Sequence, residues 1–377
     1  MRVALISGTF PYDLCGVGLH TSYLARALSM RGIDVHVVTA TRHLASESLS
    51  GINIILHQTR PFGVRATFEV RSLIERIKPD IIHMQLPVRY NQLGAIVFCL
   101  LLRFITRGIP FLLTLHEFSE GRMLSRVRGA ALIASAPYVL FTNPNDLVLA
   151  IQLFPWRQSC FFHVPLGPTL PLEIENERAI GQPRDSHSIA YLGIIYPRKG
   201  LEVLLRALVQ LKDELPGIRV HVLSRFIPRE SYHRAIYRMA EELGILEKVV
   251  WYENLTDEEI VRQLRRCAIT CLPYPGGATF RRSTLLEALT AGTAVITTKG
   301  LRTPPDLQHG HNVYLVPPGD PEALAAAIRS LVSSPDLVSV LCRGGVALAK
   351  RFSWQRIAAE TETVYRELLR REKGSLL

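Results

Sequence analysis

Short apolar runs recur along the chain, and segments with helical spacing separate most of them. In the first half, Val3–Ser7, Asp34–Thr39, Ile52–His57, Ile81–Gln85, Phe111–His116, Tyr138–Thr142 and Phe161–Pro165 read as strands. They are nearly continuous in apolar residues rather than alternating, the pattern of parallel sheets covered on both faces. Leu19, Tyr23, Leu24, Ala27 and Leu28 repeat at helical spacing and predict a helix over Leu19–Arg31, capped by Gly32. A second helix, Val64–Lys78, ends at Pro79. The longest apolar run, Leu93–Leu102, holds Gly94 and stops at Arg103. It falls short of the roughly 18–20 residues of a membrane span and reads as a buried helix.

The character changes at Pro168–Ser188, where Pro168, Pro171, Gly181 and Pro183 accompany Glu173, Glu175, Glu177 and Arg178. This is a linker composition. The alternation then restarts. Ile189–Leu192, Arg219–Leu223, Val249–Tyr252, Ile269–Pro273 and Ala294–Thr297 read as strands. Leu201–Leu215, Tyr232–Leu243 and Thr284–Ala291 read as helices. Thr256-Asp-Glu-Glu259 is a capping box that opens a helix running to Cys267. Asp320 before Pro321 starts another helix, and Ser353 caps a last one, Trp354–Arg371. The expected fold class is α/β, with two doubly wound Rossmann-like domains. Their expected limits are residues 1–170, a linker over 171–188, 189–353, and a C-terminal helix over 354–377.

Composition narrows the partners. The 377 residues are 48% apolar and 20% charged, which suits two ordinary cores and excludes a disordered chain. The net charge of +11 leaves nucleic acid, a membrane surface or a phosphorylated ligand. No basic helix, zinc spacing or aromatic-basic platform supports nucleic acid. The opening Met-Arg-Val-Ala-Leu-Ile-Ser is too short for a signal-peptide core, so a cytoplasmic setting is expected. The six cysteines (15, 99, 160, 267, 271, 342) contain no C-x-x-C and read as reduced thiols. Cys267 and Cys271 are expected to span a helix–strand junction, and no metal site is expected.

Three segments carry chemistry. After the first strand comes Ser7-Gly-Thr-Phe-Pro-Tyr-Asp-Leu-Cys-Gly16-Val17-Gly18-Leu-His20, then a helix. Glycines before a helix N-terminus suit a phosphate, and they equally suit an ordinary tight turn. It is not G-x-G-x-x-G, and Val38-Thr39-Ala40 closes the second strand without a carboxylate, so a nicotinamide cofactor is disfavoured. The second domain opens with Tyr191-Leu-Gly193-Ile-Ile-Tyr-Pro-Arg198-Lys199-Gly200, whose adjacent cations either neutralise a diphosphate or sit solvated in a loop. The third segment is Leu272-Pro-Tyr-Pro-Gly276-Gly277-Ala-Thr279-Phe280-Arg281-Arg282-Ser283-Thr284-Leu-Leu-Glu287. Here a strand end, a glycine loop, two guanidinium groups and a helix start at Ser283 or Thr284 gather near one carboxylate. Cations suit phosphate and Glu287 suits ribose hydroxyls; the alternative is helix capping alone.

The order of these segments resembles a known family. It runs from the glycine loop through Asp80-Ile-Ile-His83, Pro110-Phe-Leu-Leu-Thr114-Leu-His116-Glu117, Pro165-Leu-Gly167 and Lys199-Gly200. It continues with Leu285-Leu-Glu287-Ala288-Leu-Thr-Ala-Gly292, Asn312-Val-Tyr-Leu-Val-Pro-Pro-Gly-Asp320 and Phe352-Ser-Trp354. Over essentially the whole chain this resembles family 4 of the retaining glycosyltransferases, bacterial type. The resemblance implies the GT-B fold: two Rossmann-like domains facing across a crevice, with the last helix returning to the first domain. It implies transfer of a sugar from a nucleoside-diphosphate sugar to a hydroxyl acceptor, which is a glycan, a lipid-linked molecule or a small glycoside. Gly16, Val17 and Gly18 match the loop that approaches the donor diphosphate, and Lys199 the lysine paired with it. Thr279, Phe280, Arg281, Arg282, Ser283 and Thr284 fall in the donor segment. Glu287 matches the second glutamate of E-x7-E, which binds the ribose. His116 matches the histidine beside the transferred sugar. His83, Gln85 and Glu117 are candidates for the acceptor.

Two positions depart from the family pattern. The first glutamate of E-x7-E falls on Thr279, and a usual phosphate-binding arginine falls on Ile194. Arg281 or Arg282 is the expected replacement cation. The sequence contains no D-x-D, so a metal-independent reaction is expected, with Lys199, Arg281, Arg282 and the helix start carrying the leaving-group charge. No cofactor beyond the donor is implied. The alternatives are an impaired nucleotide-sugar-binding protein and a nucleotide-sugar epimerase. Arg122, Arg126 and Arg128, interleaved with Met123, Leu124 and Val127, fit either an anionic membrane contact or a solvated helix face.

Overall fold

A computed structural model describes residues 1–10, 15–40, 54–86, 92–106, 108–116, 118, 123–170 and 184–374. The chain forms two compact units, Met1–Thr169 with Trp354–Leu377, and Leu170–Ser353.

Unit 1 contains β1 (Arg2–Ser7), α1 (Gly16–Met30), β2 (Asp34–Thr39), β3 (Ile54–Gln58), α2 (Val64–Ile77) and β4 (Ile81–Leu86). It continues with α3 (Gln92–Ile105), β5 (Phe111–Leu115), α4 (Met123–Ser135), β6 (Tyr138–Phe141), α5 (Pro144–Leu153) and β7 (Phe161–His163). All seven strands pair in parallel, in the order β3-β2-β1-β4-β5-β6-β7. Unit 2 contains β8 (Asp185–Leu192), α6 (Leu201–Leu211), β9 (Arg219–Leu223), α7 (Ser231–Glu242), β10 (Val249–Trp251), α8 (Asp257–Arg266) and β11 (Cys267–Leu272). Then follow α9 (Ser283–Thr290), β12 (Ala294–Thr298), β13 (Tyr314–Val316), α10 (Pro321–Val332) and α11 (Pro335–Ala349). Its order, β10-β9-β8-β11-β12-β13, is again wholly parallel. The last helix, α12 (Trp354–Gly374), belongs to unit 1.

Each sheet is covered on both faces. In unit 1, Val70, Ile74, Phe98, Leu102 and Leu132 from α2, α3 and α4 meet Ile82, Leu113 and Val139 on one face. On the other, Leu24 and Leu28 of α1 and Ile357, Tyr365 and Leu368 of α12 meet Leu5, Val37 and Leu112. Arg31 ties the two helices on that face through Glu362 at 2.7 Å. Burial on both faces explains why the strands read as unbroken apolar runs.

Several boundaries differ from the sequence reading. α1 begins at Gly16, so the glycine pair lies within its first turn rather than in a loop before it. β8 begins at Asp185, four residues inside the expected linker. The polar Asp185-Ser-His-Ser188 hides a strand that ladder partners hold: Asp185 opposite Cys267 and Ser188 opposite Arg219. Cys267 and Cys271 both lie on β11 rather than across a junction, because α8 stops at Arg266. Ile52–His57 shifts to Ile54–Gln58, with residues 52 and 53 outside the described set. β13 and α11 were not read at all; β13 is three residues long, and Gly344-Gly345 weakens the helical signal of α11. The Thr256 capping box is present as read, with both reciprocal hydrogen bonds.

Candidate functional site

In an open parallel sheet, ligands bind beyond the carboxyl ends of the strands where the strand order reverses. Those points are β1/β4 in unit 1 and β8/β11 in unit 2. The candidate residues gather at both.

In unit 2, β8 runs out at Leu192 and Gly193, and the chain turns through Tyr196–Lys199, where the Lys199 N–H reaches the Tyr196 carbonyl at 3.2 Å. Arg198 takes a left-handed φ of 67°, strained for a residue with a side chain. Gly200 follows at φ 87° and caps α6; a Cβ there would sit 1.9 Å from the Pro273 carbonyl oxygen. The backbone at Gly200 therefore lies directly against the end of β11, and Lys199 is held beside it. Burial, and then the nearby Arg282 guanidinium, push the Lys199 ammonium below its ordinary pKa.

Of the two arginines, Arg282 is the one that acts on Lys199. It is the N-cap of α9, and its guanidinium lies over the Tyr274 ring at 4.2 Å. Its Nε is buried with no hydrogen-bond partner among the described residues. Tyr274 is buried and shares a 2.7 Å hydrogen bond with Thr284, which fixes the platform on which Arg282 rests. Arg281, Ser283 and Thr284 are half-buried around the same helix start. α9 has no side-chain cap at Arg282, and its N-terminus carries the partial positive charge of the helix dipole. Glu287 is only 3% exposed, one turn into α9, and its carboxylate helps to raise the pKa of Tyr274, whose burial is the larger cause. Phe280 turns to packing: its ring meets Phe352 at 4.6 Å and joins the core under α9. Thr279 is half-buried, and Ile194 is 61% exposed and offers no charge.

In unit 1 the described candidates are imidazoles, an amide and hydroxyls. His83 and Gln85 end β4, Thr114 lies on β5, and His116 follows it; all are buried. Gln85 Oε1 accepts from His116 Nε2 at 2.9 Å, and Gln85 Nε2 donates to His83 Nε2 at 3.0 Å. Thr114 Oγ1 lies 2.6 Å from that same His83 nitrogen. With two donors aimed at Nε2, the His83 proton sits on Nδ1, which reaches the Tyr365 hydroxyl of α12 at 2.6 Å. A relay thus runs from Tyr365 to His116 and fixes the proton of His116 on Nε2. Burial brings His83 down to about 3, so it stays neutral. His20, in α1, meets the His116 ring edge-on at 4.8 Å and is brought down by burial to about 4. Trp354 at the start of α12 lies 5.2 Å from His20, stacks on Tyr23 and donates to the Pro168 carbonyl at 2.8 Å.

The other sequence candidates in unit 1 divide. Gly18 abuts Thr9 and Phe10, where a Cβ would meet backbone at 3.2 Å; Gly16 has open space around it, and Val17 is buried. Glu117 and Arg122 lie outside the described residues. Tyr365, Thr114, His20 and Tyr274 were not singled out from sequence. His20, Thr114 and Tyr274 had a signal in their place within the quoted segments, and Tyr365 had none.

Comparison with known proteins fits this architecture. Residues 15–151 match the model described as Glycosyltransferase Family 4, and residues 173–343 match that described as Glycosyl transferases group 1. The D-inositol 3-phosphate glycosyltransferase of Thermobispora bispora is 30% identical, over 98% of this chain and 95% of its own. That of Acidothermus cellulolyticus is 25% identical, over 98% and 90%. Among solved structures, Anabaena HepE in complex with UDP superposes with a TM-score of 0.77 at 16% identity, covering 97% of this chain and all 100% of that one. A Rickettsia africae glycosyltransferase gives 0.77 at 15%, covering 98% of each. Paired parallel α/β units with the GT-B architecture, two family matches and a full-length relative lead to one conclusion: the chain belongs to the group 1, family 4 glycosyltransferases.

Proposed function

We propose that this glycosyltransferase takes its sugar from a nucleoside-diphosphate sugar, retains the anomeric configuration and needs no metal ion. The observation that carries the proposal is the pair of cations Lys199 and Arg282, the latter at the start of α9. The Arg282 guanidinium disfavours the Lys199 ammonium, and an anion beside it would relieve that cost. The Arg282 Nε and the α9 N-terminus supply donors of the kind that a diphosphate accepts. HepE, a protein of the same fold, was solved with UDP, with UDP and glucose, and with UDP-glucose, which supports this class of donor.

The acceptor hydroxyl attacks the anomeric carbon from the face that the diphosphate leaves. The carbon–oxygen bond to phosphate breaks, its electron pair stays on the phosphate oxygen, and that oxygen takes the acceptor proton. Lys199, Arg282 and the α9 dipole stabilise the charge that grows there, the load a metal would otherwise carry. Glu287 is assigned to the ribose and His116 to the sugar. The acceptor is a hydroxyl compound; relatives named for D-inositol 3-phosphate support that class. The six free cysteines support a reducing, cytoplasmic setting.

The test incubates purified protein with a panel of nucleotide sugars and acceptors, with and without EDTA. Released nucleoside diphosphate is measured, and the product anomer is read by NMR. Acceptor-dependent release that survives EDTA, with retention, is expected. Loss of release on chelation overturns the metal-free reading, and an inverted anomer overturns retention. Lys199→Ala is expected to lower turnover about 10²-fold; undiminished turnover removes the diphosphate assignment.

A further inference from the structure

Helix α3 presents an apolar stripe to solvent. Leu93, Val97, Leu100 and Phe104 are 73%, 40%, 39% and 57% exposed, and their spacing puts them on one face. The opposite face, with Phe98, Cys99 and Leu102, is buried in the unit 1 core. A soluble surface helix normally turns polar residues outward. Here the only charged residue of the helix is Arg103, also exposed.

The neighbours extend the pattern. On α2, Val64 and Phe68 are exposed, with Arg65, Arg71 and Arg76 beside them. On α4, Val127 is 60% exposed next to Arg126 and Arg128. Neither α3 nor α4 contains an acidic residue. The two on α2, Glu75 and Glu69, are paired with Arg71 and Arg60. Past the C-terminal end of the stripe, Arg103, Arg157, Phe154 and the 76% exposed Trp156 line a groove of about 510 Å³.

We propose that this face of unit 1 docks on an anionic lipid surface, with α3 lying in the plane of the interface. At 14 residues α3 is about 21 Å long, shorter than the roughly 30 Å hydrocarbon layer, and its inner face is already committed to the sheet. Side-on insertion buries the stripe among acyl chains while the arginines meet lipid phosphates and Trp156 sits at headgroup level. A second copy of the chain fits worse, because a symmetric contact would set cationic rims against each other. Nucleic acid would leave the apolar stripe unused. The arginines of α4 thus belong to a surface centred on α3. Lipid binding requires no sugar donor, so its outcome stands apart from that of the transfer assay.

The experiment floats the full chain with phosphatidylcholine vesicles, with or without phosphatidylglycerol. The wild type is expected to float with anionic vesicles and to partition much less onto neutral ones. Leu100→Glu with Phe104→Glu removes two exposed anchors without opening the core, and each loss should lower partitioning about tenfold or more. An unchanged thermal melt and unchanged transfer to a soluble acceptor confirm that this variant is folded. As a second readout, the emission of Trp156, isolated by comparison with Trp156→Phe, should shift to the blue on anionic vesicles only. The proposal is overturned if the wild type never floats, if the folded variant floats equally well, or if neutral vesicles bind as strongly as anionic ones. It is also overturned if the wild type is a dimer that the variant breaks and neither floats; the stripe is then a contact between copies.

Discussion

At the carboxyl ends of β4 and β5, unit 1 gathers two histidines, an amide and two hydroxyls, with His83 kept neutral by burial. At the corresponding ends of β8 and β11, unit 2 gathers a lysine and an arginine whose charge disfavours that of the lysine. Both units use the same strand order around their reversal point, so the sheet does not dictate the chemistry. The loops and the first helical turns do. Unit 2 stores unfavourable charge that an anion would relieve. Unit 1 instead uses burial and hydrogen bonds to fix which nitrogen carries a proton.

Acid should separate the two regions most sharply. His83 and His20 are held by burial near 3 and 4, below the ordinary 6.5. Above about pH 6.5 they are neutral whether the chain is folded or not, and they add nothing to pH dependence. As pH falls below that value, the unfolded chain binds protons that the folded chain refuses, so stability is lost. By pH 4 the loss is on the order of 3 kcal/mol per histidine. Hydrogen exchange read peptide by peptide should show unit 1 losing protection before unit 2. Simultaneous loss, or unit 2 first, breaks the comparison.

The next largest effect is expected from Arg282→Ala. Removing one cation should cost about 3 kcal/mol of transition-state stabilisation, near 10²-fold in kcat. It should also let the Lys199 ammonium return toward its ordinary pKa, because one cause of its depression is gone. A titration of Lys199 that does not move would show that the two charges are not coupled.

The smallest effect belongs to the far end of the relay. Tyr365→Phe removes one hydrogen bond from His83, about 1 kcal/mol. If the relay positions His116, kcat should fall up to about fivefold with KM nearly unchanged. Gln85→Leu, one step closer to His116, should cost more, and Gln85→Glu should shift the acid limb of the pH–rate profile. Equal losses in kcat and stability across all three would make the relay merely structural.

The two regions also differ in how far the sequence reveals them. Unit 2's cations lie within single strand-to-helix turns, so Lys199, Arg282 and Glu287 could be found by reading along the chain. The sequence does not show that the Tyr274 ring lies beneath Arg282. In unit 1, His83, Gln85 and His116 were legible as strand ends, but not as a connected set. Their connection runs through Thr114 and through Tyr365, 282 residues away in sequence from His83. On α12 that tyrosine reads as one more apolar position, because its ring is core and only its oxygen has a special partner. Parallel strands announced the fold through unbroken apolar runs. Polar strand starts such as Asp185–Ser188 did not, because ladder partners rather than composition hold them.

The return of α12 to unit 1 sets an order of manufacture. On the ribosome, residues 170–353 emerge as one uninterrupted stretch and can close their own core as soon as they are out. Unit 1 emerges first yet stays unfinished. The face bearing Leu24, Leu28 and Val37 waits for Ile357, Tyr365 and Leu368 to cover it, and His83 waits for its phenol. The first-made half of the protein is therefore the last to mature, and a nascent chain halted before residue 354 would carry a finished unit 2 behind an open-faced unit 1.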